Sequence, residues 1–253
     1  MELVFAFIIG SSIGSFLNVC IYRLVEKKSL IFPGSFCPEC KKNIPAWSNI
    51  PLLGFILLRG KCYKCSANIS FRYPLVELLA GVFTVFSFLH FGLSISFVVY
   101  SVFIYFLIVI AFIDIQTHLI YNKVLIVLLI FGLFSQILFT FIPWDEALLG
   151  LATGGLTMWL ISILGKWMFK KESLGMGDVK LAAVAGFFTG WLNVLIALYL
   201  GFILAFIAIT LHNKFKKIKI TGYIPLGPFL AGGLIVFLFW GDEISKFYIT
   251  LVT

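Results

Sequence analysis

The chain has 253 residues, of which 61% are hydrophobic and only 12% charged, whereas an ordinary soluble domain carries about 25% charged residues. No soluble fold of this length could bury so much apolar surface, which excludes a soluble enzyme and implies an all-α polytopic membrane protein. The net charge of +8 does not imply nucleic acid, because the basic residues cluster in alternate inter-helix loops, the pattern that orients membrane proteins.

Nine Lys and Arg lie from Arg23 to Arg72, one is Lys123, four lie from Lys166 to Lys180 and four from Lys214 to Lys219. This distribution places those loops on the cytoplasmic side, against anionic membrane lipid. The first apolar span runs from Met1 to about Leu24. It lacks a basic n-region and reads as an anchor rather than a cleaved signal. Gly14-Ser15-Phe16-Leu17-Asn18 fits close helix packing through small residues. Alternatively, Asn18 and Arg23 help to line a site.

Residues 26–72 form the one polar block and are expected as a separate cytoplasmic domain. It reads Cys37-Pro38-Glu39-Cys40, then 21 residues, then Cys62-Tyr63-Lys64-Cys65. Each C-x-x-C offers two thiolates from one tight knuckle. Two knuckles complete an S₄ shell, and a closed shell implies a structural Zn²⁺. In the reducing cytoplasm, metal is favoured over disulfides. The block is too small for much of a core, so the metal would supply folding energy. Asn49-Ile50-Pro51 and Leu58-Arg59-Gly60-Lys61 say only turn and surface. The fifth cysteine, Cys20, lies in the first span and reads as packing.

Seven further spans are expected across residues 73–253, at about 73–91, 96–115, 124–142, 148–167, 179–191, 192–211 and 225–240. Eight spans put both chain ends outside. Glu77 lies one turn inside the second span, as an interfacial carboxylate or a functional one. The third span ends in Asp114-Ile115-Gln116-Thr117-His118, with Asp114 at the membrane edge and His118 an interfacial group or a proton shuttle. The fourth leads to an acidic turn, Asp145-Glu146, and the fifth to Lys170-Lys171-Glu172. The sixth is short and holds Gly186 and Gly190, which suits a segment shielded by its neighbours. The eighth begins at Pro225-Leu226-Gly227-Pro228, where a bent or unwound start is expected.

The sixth span opens with Gly175-Met176-Gly177-Asp178-Val179-Lys180. A carboxylate entering a membrane is costly and is a functional hypothesis by default. On this topology Asp114 ends an inward-running span and Asp178 opens an outward-running one, so both lie at similar depth on one face. Two carboxylates a few ångströms apart cannot both ionise cheaply and would hold one shared proton. One can then act as base on a water while the other, as acid, polarises a peptide carbonyl. Gly175 and Gly177 would allow a tight turn and the approach of a substrate backbone. Asp178, near a helix N-terminus, would be the base, and Asp114 the acid. The bland alternative is two helix-end carboxylates paired with Lys180 and Lys123.

Taken together, these stretches resemble the bacterial type IV prepilin peptidase family (leader peptidase/N-methyltransferase), whose members are GxGD-type membrane aspartyl proteases. The resemblance rests on Gly14-Ser15-Phe16-Leu17-Asn18-Val19 with Tyr22-Arg23-Leu24, the four cysteines, Asn49-Ile50-Pro51, Leu58-Arg59-Gly60-Lys61 and Ser70-x-Arg72-Tyr73-Pro74-x-x-Glu77. It continues through Asp114, Ile120, Gly175 to Leu181, and Pro225-Leu226-Gly227-Pro228-Phe229. The chain departs from the family in having Tyr121-Asn122 after Ile120 and Gly34-Ser35 before the first cysteine pair.

The resemblance implies removal of the short basic leader of type IV prepilins or pseudopilins at the cytoplasmic face, with Asp114 and Asp178 as the catalytic pair. It also implies N-methylation of the new amino terminus with S-adenosylmethionine, attributed to the N-terminal part. For that activity Asn18, Arg23 and Glu77 are candidates. Two other readings are a peptidase without methyltransferase activity and a non-enzymatic scaffold or transporter carrying a zinc ribbon.

Overall fold

A computed structural model of the chain describes residues 1–31, 34, 36–170, 174–216 and 224–252. Among the residues discussed above, Ser35, Lys171, Glu172, Lys217 and Lys219 lie outside these. The described residues form nine α-helices: α1 (Glu2–Val25), α2 (Leu53–Leu57), α3 (Arg72–Phe91), α4 (Ile95–Thr117), α5 (Asn122–Phe139), α6 (Trp144–Phe169), α7 (Met176–Thr189), α8 (Trp191–Lys216) and α9 (Gly227–Val252). Among the described residues there is no β-strand, only two isolated bridges, Phe36 with Asn43 and Lys61 with Asn68. Each bridge closes over one cysteine knuckle.

Helix is the expected outcome for long apolar runs, because in hydrocarbon every backbone polar group must be satisfied within its own segment. Helices α1, α3, α4, α5, α6 and α8 are long and apolar enough to cross a membrane. The chain is therefore a multi-pass membrane protein. The other two expected spans correspond to α7 and α9.

The chain divides into two compact units, Met1–Val109 and Ile110–Thr253. In the first, α1 packs along α3 through small residues. A Cβ on Gly14 would stand 2.7 Å from the Glu77 Cα, and one on Gly81 2.8 Å from the Phe7 ring. That is the close approach the Gly-Ser stretch suggested. Thr84 of α3 and Tyr105 of α4 share a hydrogen bond of 2.5 Å between their hydroxyls.

In the second unit α7 is central. Its 14 residues span about 21 Å, too little for a hydrocarbon core of about 30 Å. It is enclosed instead: Leu181, Ala182, Ala185, Phe187 and Phe188 are fully covered, with α5, α6, α8 and α9 packed around it. The shielding expected of a short span is thus present. Gly150 of α6 meets Gly186 of α7 so closely that a Cβ on either would run into the other's carbonyl oxygen. Gly190 then ends α7 with φ of 86°, a left-handed conformation suited to glycine, and α8 begins at the next residue.

One boundary differs from expectation and one agrees with it. Asp145 and Glu146 form the first turn of α6 rather than a separate turn; Pro143 sets the helix start and the acids suit its N-terminal dipole. Helix α9 begins only at Gly227, the preceding Pro225 and Leu226 being non-helical. This is the unwound start that the two prolines implied.

Candidate active site and metal site

Asp114 and Asp178 are both in the second unit and both buried, 4% and 5% exposed. They lie close enough for the charge of one to act on the other. Buried carboxylates need hydrogen-bond partners, and here the backbone supplies them. The Gly227 N–H donates to Asp114 Oδ2 at 2.9 Å. Around Asp178 the backbone amides of Gly175 and of Asp178 itself face the carboxylate. Three chain segments, from α4, α7 and α9, therefore meet at this pair.

Local sequence fixes each group. Asp114 lies three residues before the end of α4, and its carbonyl accepts the His118 N–H at 2.8 Å. His118 itself has φ of 54°, which stops the helix there. Asp178 is the third residue of α7, in the turn after Gly175, and its N–H donates to the Gly175 carbonyl at 3.1 Å.

The two glycines of this loop act differently from expectation. Gly175 is extended, with φ of −74°, a conformation open to any residue. Gly177 sits inside the first helical turn, where a Cβ would stand 2.9 Å from Ile120 Cβ. Its hydrogen side chain is required by contact with the segment after α4, and not by a left-handed turn. Lys180 points elsewhere than the acids: its amino group donates to Asn122 Oδ1 at 3.0 Å, tying the start of α7 to the start of α5.

Cys37, Cys40, Cys62 and Cys65 converge, with all four Sγ atoms within 4.8 Å of one another. A tetrahedral zinc thiolate site has Zn–S bonds of about 2.3 Å and hence S···S edges of about 3.8 Å. The Cys37–Cys65 sulfur separation is 3.8 Å. The Cys62 thiol is pulled down to about 6 by the backbone N–H groups of Cys65 and then Lys64, while the neighbouring Cys65 thiol is pushed up to about 11, so one thiolate of the pair is favoured in place. The residues present fit a metal ion. The knuckles are built alike: Lys41 and Ser66 both adopt positive φ, and their N–H groups bond back to the Cys37 and Cys62 carbonyls at 2.8 and 2.9 Å.

Asn18, Arg23 and Glu77 are also brought together. All three are buried and line one cavity of about 370 Å³ in the first unit, between the cysteine loop and the neighbouring ends of α1 and α3. Glu77 Oε2 accepts the Leu52 N–H at 2.8 Å. Asn18 donates to the Tyr73 carbonyl at 2.9 Å. Arg23 donates to the carbonyls of Ser29 and Gly34 at 2.9 and 3.2 Å.

Two participants do not stand out in the sequence. Gly227 reads there only as part of a bent helix start, and Leu52 carries no mark at all. The signal for Gly227 is its placement between two prolines, which leave few free N–H groups nearby. For Leu52 there is none, since its role lies in its backbone.

Comparison with known proteins identifies the family. A family profile described as "Bacterial Peptidase A24 N-terminal domain" matches residues 8–91, and one described as "Type IV leader peptidase family" matches residues 101–210. A protein of Legionella pneumophila named "Prepilin leader peptidase/N-methyltransferase" is 35% identical, covering 94% of this chain and 91% of its own. Proteins with the same name from Pseudomonas aeruginosa and Klebsiella pneumoniae are 33% and 37% identical, covering 96% and 74% of this chain and 91% and 85% of their own. No solved structure matches the chain. With relatives of this similarity aligned along nearly their whole length, the chain belongs to the type IV leader peptidase family.

Proposed function

We propose that the chain is a membrane-embedded aspartyl endopeptidase that removes the short basic leader of type IV prepilins or pseudopilins. Asp114 and Asp178 are its catalytic pair, and the chain also N-methylates the amino terminus so exposed. The supporting observation is the burial of both carboxylates in one unit, within reach of each other's charge, with Asp114 held by the Gly227 N–H. The names of the relatives support both activities.

The chemistry follows from the pair. One carboxylate takes a proton from a water as the water oxygen attacks the scissile carbonyl carbon. The other, protonated, gives its proton to the carbonyl oxygen. Collapse of the tetrahedral species breaks the C–N bond, and the leaving amine departs with a proton. The Gly227 N–H fixes Asp114 during this exchange. The Gly177–Ile120 contact keeps the two segments at their spacing.

A prepilin carries a cationic leader and an apolar helix, so its cleavage point lies at the membrane surface. The basic loops support placing that surface on the cytoplasmic side. In this reading Zn²⁺ is held by Cys37, Cys40, Cys62 and Cys65 and braces the domain of residues 26–72, while residues 73–253 carry the peptidase. A closed S₄ shell leaves no position for substrate.

The test is leader cleavage by membranes carrying Asp114→Asn or Asp178→Asn. Each variant should lose about 10³-fold or more in rate. Cleavage at the native rate by either one overturns the assignment. Mass spectrometry of the product's amino terminus reads cleavage position and methylation together. A cleaved product without the added methyl would leave the peptidase alone standing.

A further inference from the structure

We propose that the outer face of α2, made by Leu53, Ile56 and Leu57, is a lipid-docking surface. It seats the cysteine loop in the membrane leaflet on its own side, where Arg59, Lys61 and Lys64 meet anionic headgroups. The inference goes beyond the two proposed activities and depends on neither.

The run Leu52-Leu53-Gly54-Phe55-Ile56-Leu57-Leu58 has no polar side chain, although it lies inside the one polar block of the chain. A helix that is apolar all round belongs in a core or in a membrane, and this block is too small for much of a core. Phe55 and Leu58 take the inner face and line the cavity of the first unit. The Phe55 ring also meets the Phe71 ring at 6.3 Å between centres. Leu53, Ile56 and Leu57 take the outer face and are 55%, 66% and 69% exposed. Three neighbouring aliphatic side chains bared in this way mark a surface that meets a partner or a membrane.

Depth decides which of these covers the face. Helix α3 has 20 residues and a length of about 30 Å. It needs nearly all of that to cross a hydrocarbon core of about 30 Å, so Arg72 marks the boundary. Glu77 lies one turn further in, about 7.5 Å past Arg72. Its side chain leans back toward the helix start and accepts the Leu52 N–H at 2.8 Å. The start of α2 is therefore held at the edge of the hydrocarbon, beside α3, and not out in solution. Leu52 makes this reach with a strained backbone, φ of 60° and ψ of −50°. The Leu53 N–H closes onto the Pro51 carbonyl at 2.6 Å, which is the rare γ-turn with positive φ. Such a turn persists only where its surroundings over-determine it. The bond to Glu77 and the lipid contact of the residues that follow do so together.

The rim has the chemistry of a membrane surface. Helix α2 runs directly into Arg59 and Lys61, both exposed, whose long side chains can reach from apolar surface to headgroup phosphates. Trp47 and Tyr63 are partly exposed, with ring centres 5.8 Å apart, and the Lys64 amino group lies 5.4 Å from the Tyr63 ring centre. Trp and Tyr of this kind gather where hydrocarbon meets water. An apolar protein partner would cover Leu53, Ile56 and Leu57 but leave the cationic rim unmatched. A bilayer with anionic headgroups matches both, and it continues the lipid-facing surface of the neighbouring spans.

The full-length chain in proteoliposomes of phosphatidylcholine and phosphatidylglycerol is irradiated with a phospholipid bearing a diazirine on an acyl chain, then digested, and the adducts are mapped. Adducts are expected on residues 53–57 as well as on Ile8 and Ile9 of α1, which are exposed on a membrane span. Adducts on α1 with none on residues 53–57 overturn the proposal, and crosslinks from those residues to a second copy would then identify what covers them. A phosphatidylglycerol carrying the diazirine should label the stretch about fivefold more than a phosphatidylcholine with the same acyl chain; equal labelling overturns the part given to Arg59, Lys61 and Lys64. The paired change Ile56→Asp with Leu57→Asp should lower adducts on the stretch by about tenfold or more, with those on α1 unchanged. Undiminished adducts in that variant also overturn the proposal. The first mapping uses the unaltered chain, so its outcome does not depend on any variant folding.

Discussion

Replacing Gly227 with Ala tests how closely the peptidase depends on one backbone contact. A Cβ at that position would stand 2.8 Å from Asp114 Oδ2 and 3.2 Å from both Cβ and Cγ of the same residue. Ordinary contact is about 3.5 Å, so the carboxylate must retreat by roughly 0.7 Å. Asp114 cannot yield through its backbone, because its carbonyl anchors the end of α4 through His118. The side chain must rotate, and the Gly227 N–H bond of 2.9 Å is lost or bent. A misplacement of about 1 Å can cost about 10²-fold. The expectation is a fall in kcat of about 10- to 100-fold, or about 1.4–2.7 kcal/mol of barrier, with KM little changed. Global stability should move by less than about 1 kcal/mol, since alanine is the better helix former. The assay is cleavage of a synthetic prepilin in proteoliposomes, with Gly232→Ala beside it. At Gly232 a Cβ meets only the Leu204 Cδ1, at 3.2 Å, and that side chain can give. If Gly227→Ala cleaves within about twofold of the native enzyme, Asp114 is not held by this contact during turnover.

Other perturbations address the scaffold. Gly186→Ala should separate α6 from α7 and lower stability by about 2 kcal/mol or more, read as a lower unfolding midpoint in detergent; an unchanged midpoint would mean that the helices do not touch at Gly150. The purified chain should carry about one zinc per molecule, measured by atomic emission, and the paired change Cys37→Ser with Cys40→Ser should abolish it and expose residues 26–72 to protease. Full retention of zinc in that variant would remove the four-cysteine site. Leu52→Gly should relieve the positive-φ strain and stabilise the loop by about 1 kcal/mol, seen as slower proteolysis between α1 and α3; faster proteolysis would show that the Leu52 side chain contributes more than the strain costs.

The parts of this molecule that are legible in the sequence share a property: each is written in residue type and spacing. Unbroken apolar runs have one solution in hydrocarbon, which is why the helices fall close to their expected places. The paired C-x-x-C knuckles suit one shared metal ion, and their sulfurs converge. Asp114 and Asp178 stand out because each is a carboxylate beside an apolar run, and both are buried in one unit. What cannot be read is written in backbone geometry. The residue after Pro51 gives no sign that it will adopt φ of 60°, and nothing local says that its N–H will seek an acid 25 positions away. Likewise, the glycine of a Pro-Leu-Gly-Pro stretch looks like a helix breaker. It becomes a donor to a carboxylate 113 positions earlier only once α9 is packed.

These two hidden contacts have the same form, and the form has a physical reason. In each, a buried acid is held by one N–H that no helix has claimed, from the turn after Pro51 in one case and from the first position of α9 in the other. Pro51 precedes Leu52, and Pro225 and Pro228 flank Gly227. A helix interior has no N–H to spare, because each donates four residues back. A buried carboxylate in a helical protein must therefore draw its donor from a helix start or from an interrupted segment. Proline creates such segments by lacking a donor of its own and by blocking helix before it. Pro228 is for this reason an informative position. Pro228→Ala restores an N–H and lets the helix extend backward beyond Gly227, which would give the Gly227 N–H an intrahelical carbonyl and take it from Asp114. Peptidase activity should then fall with the chain still folded. Native activity in that variant would mean that the unwound start is held by packing and owes nothing to proline.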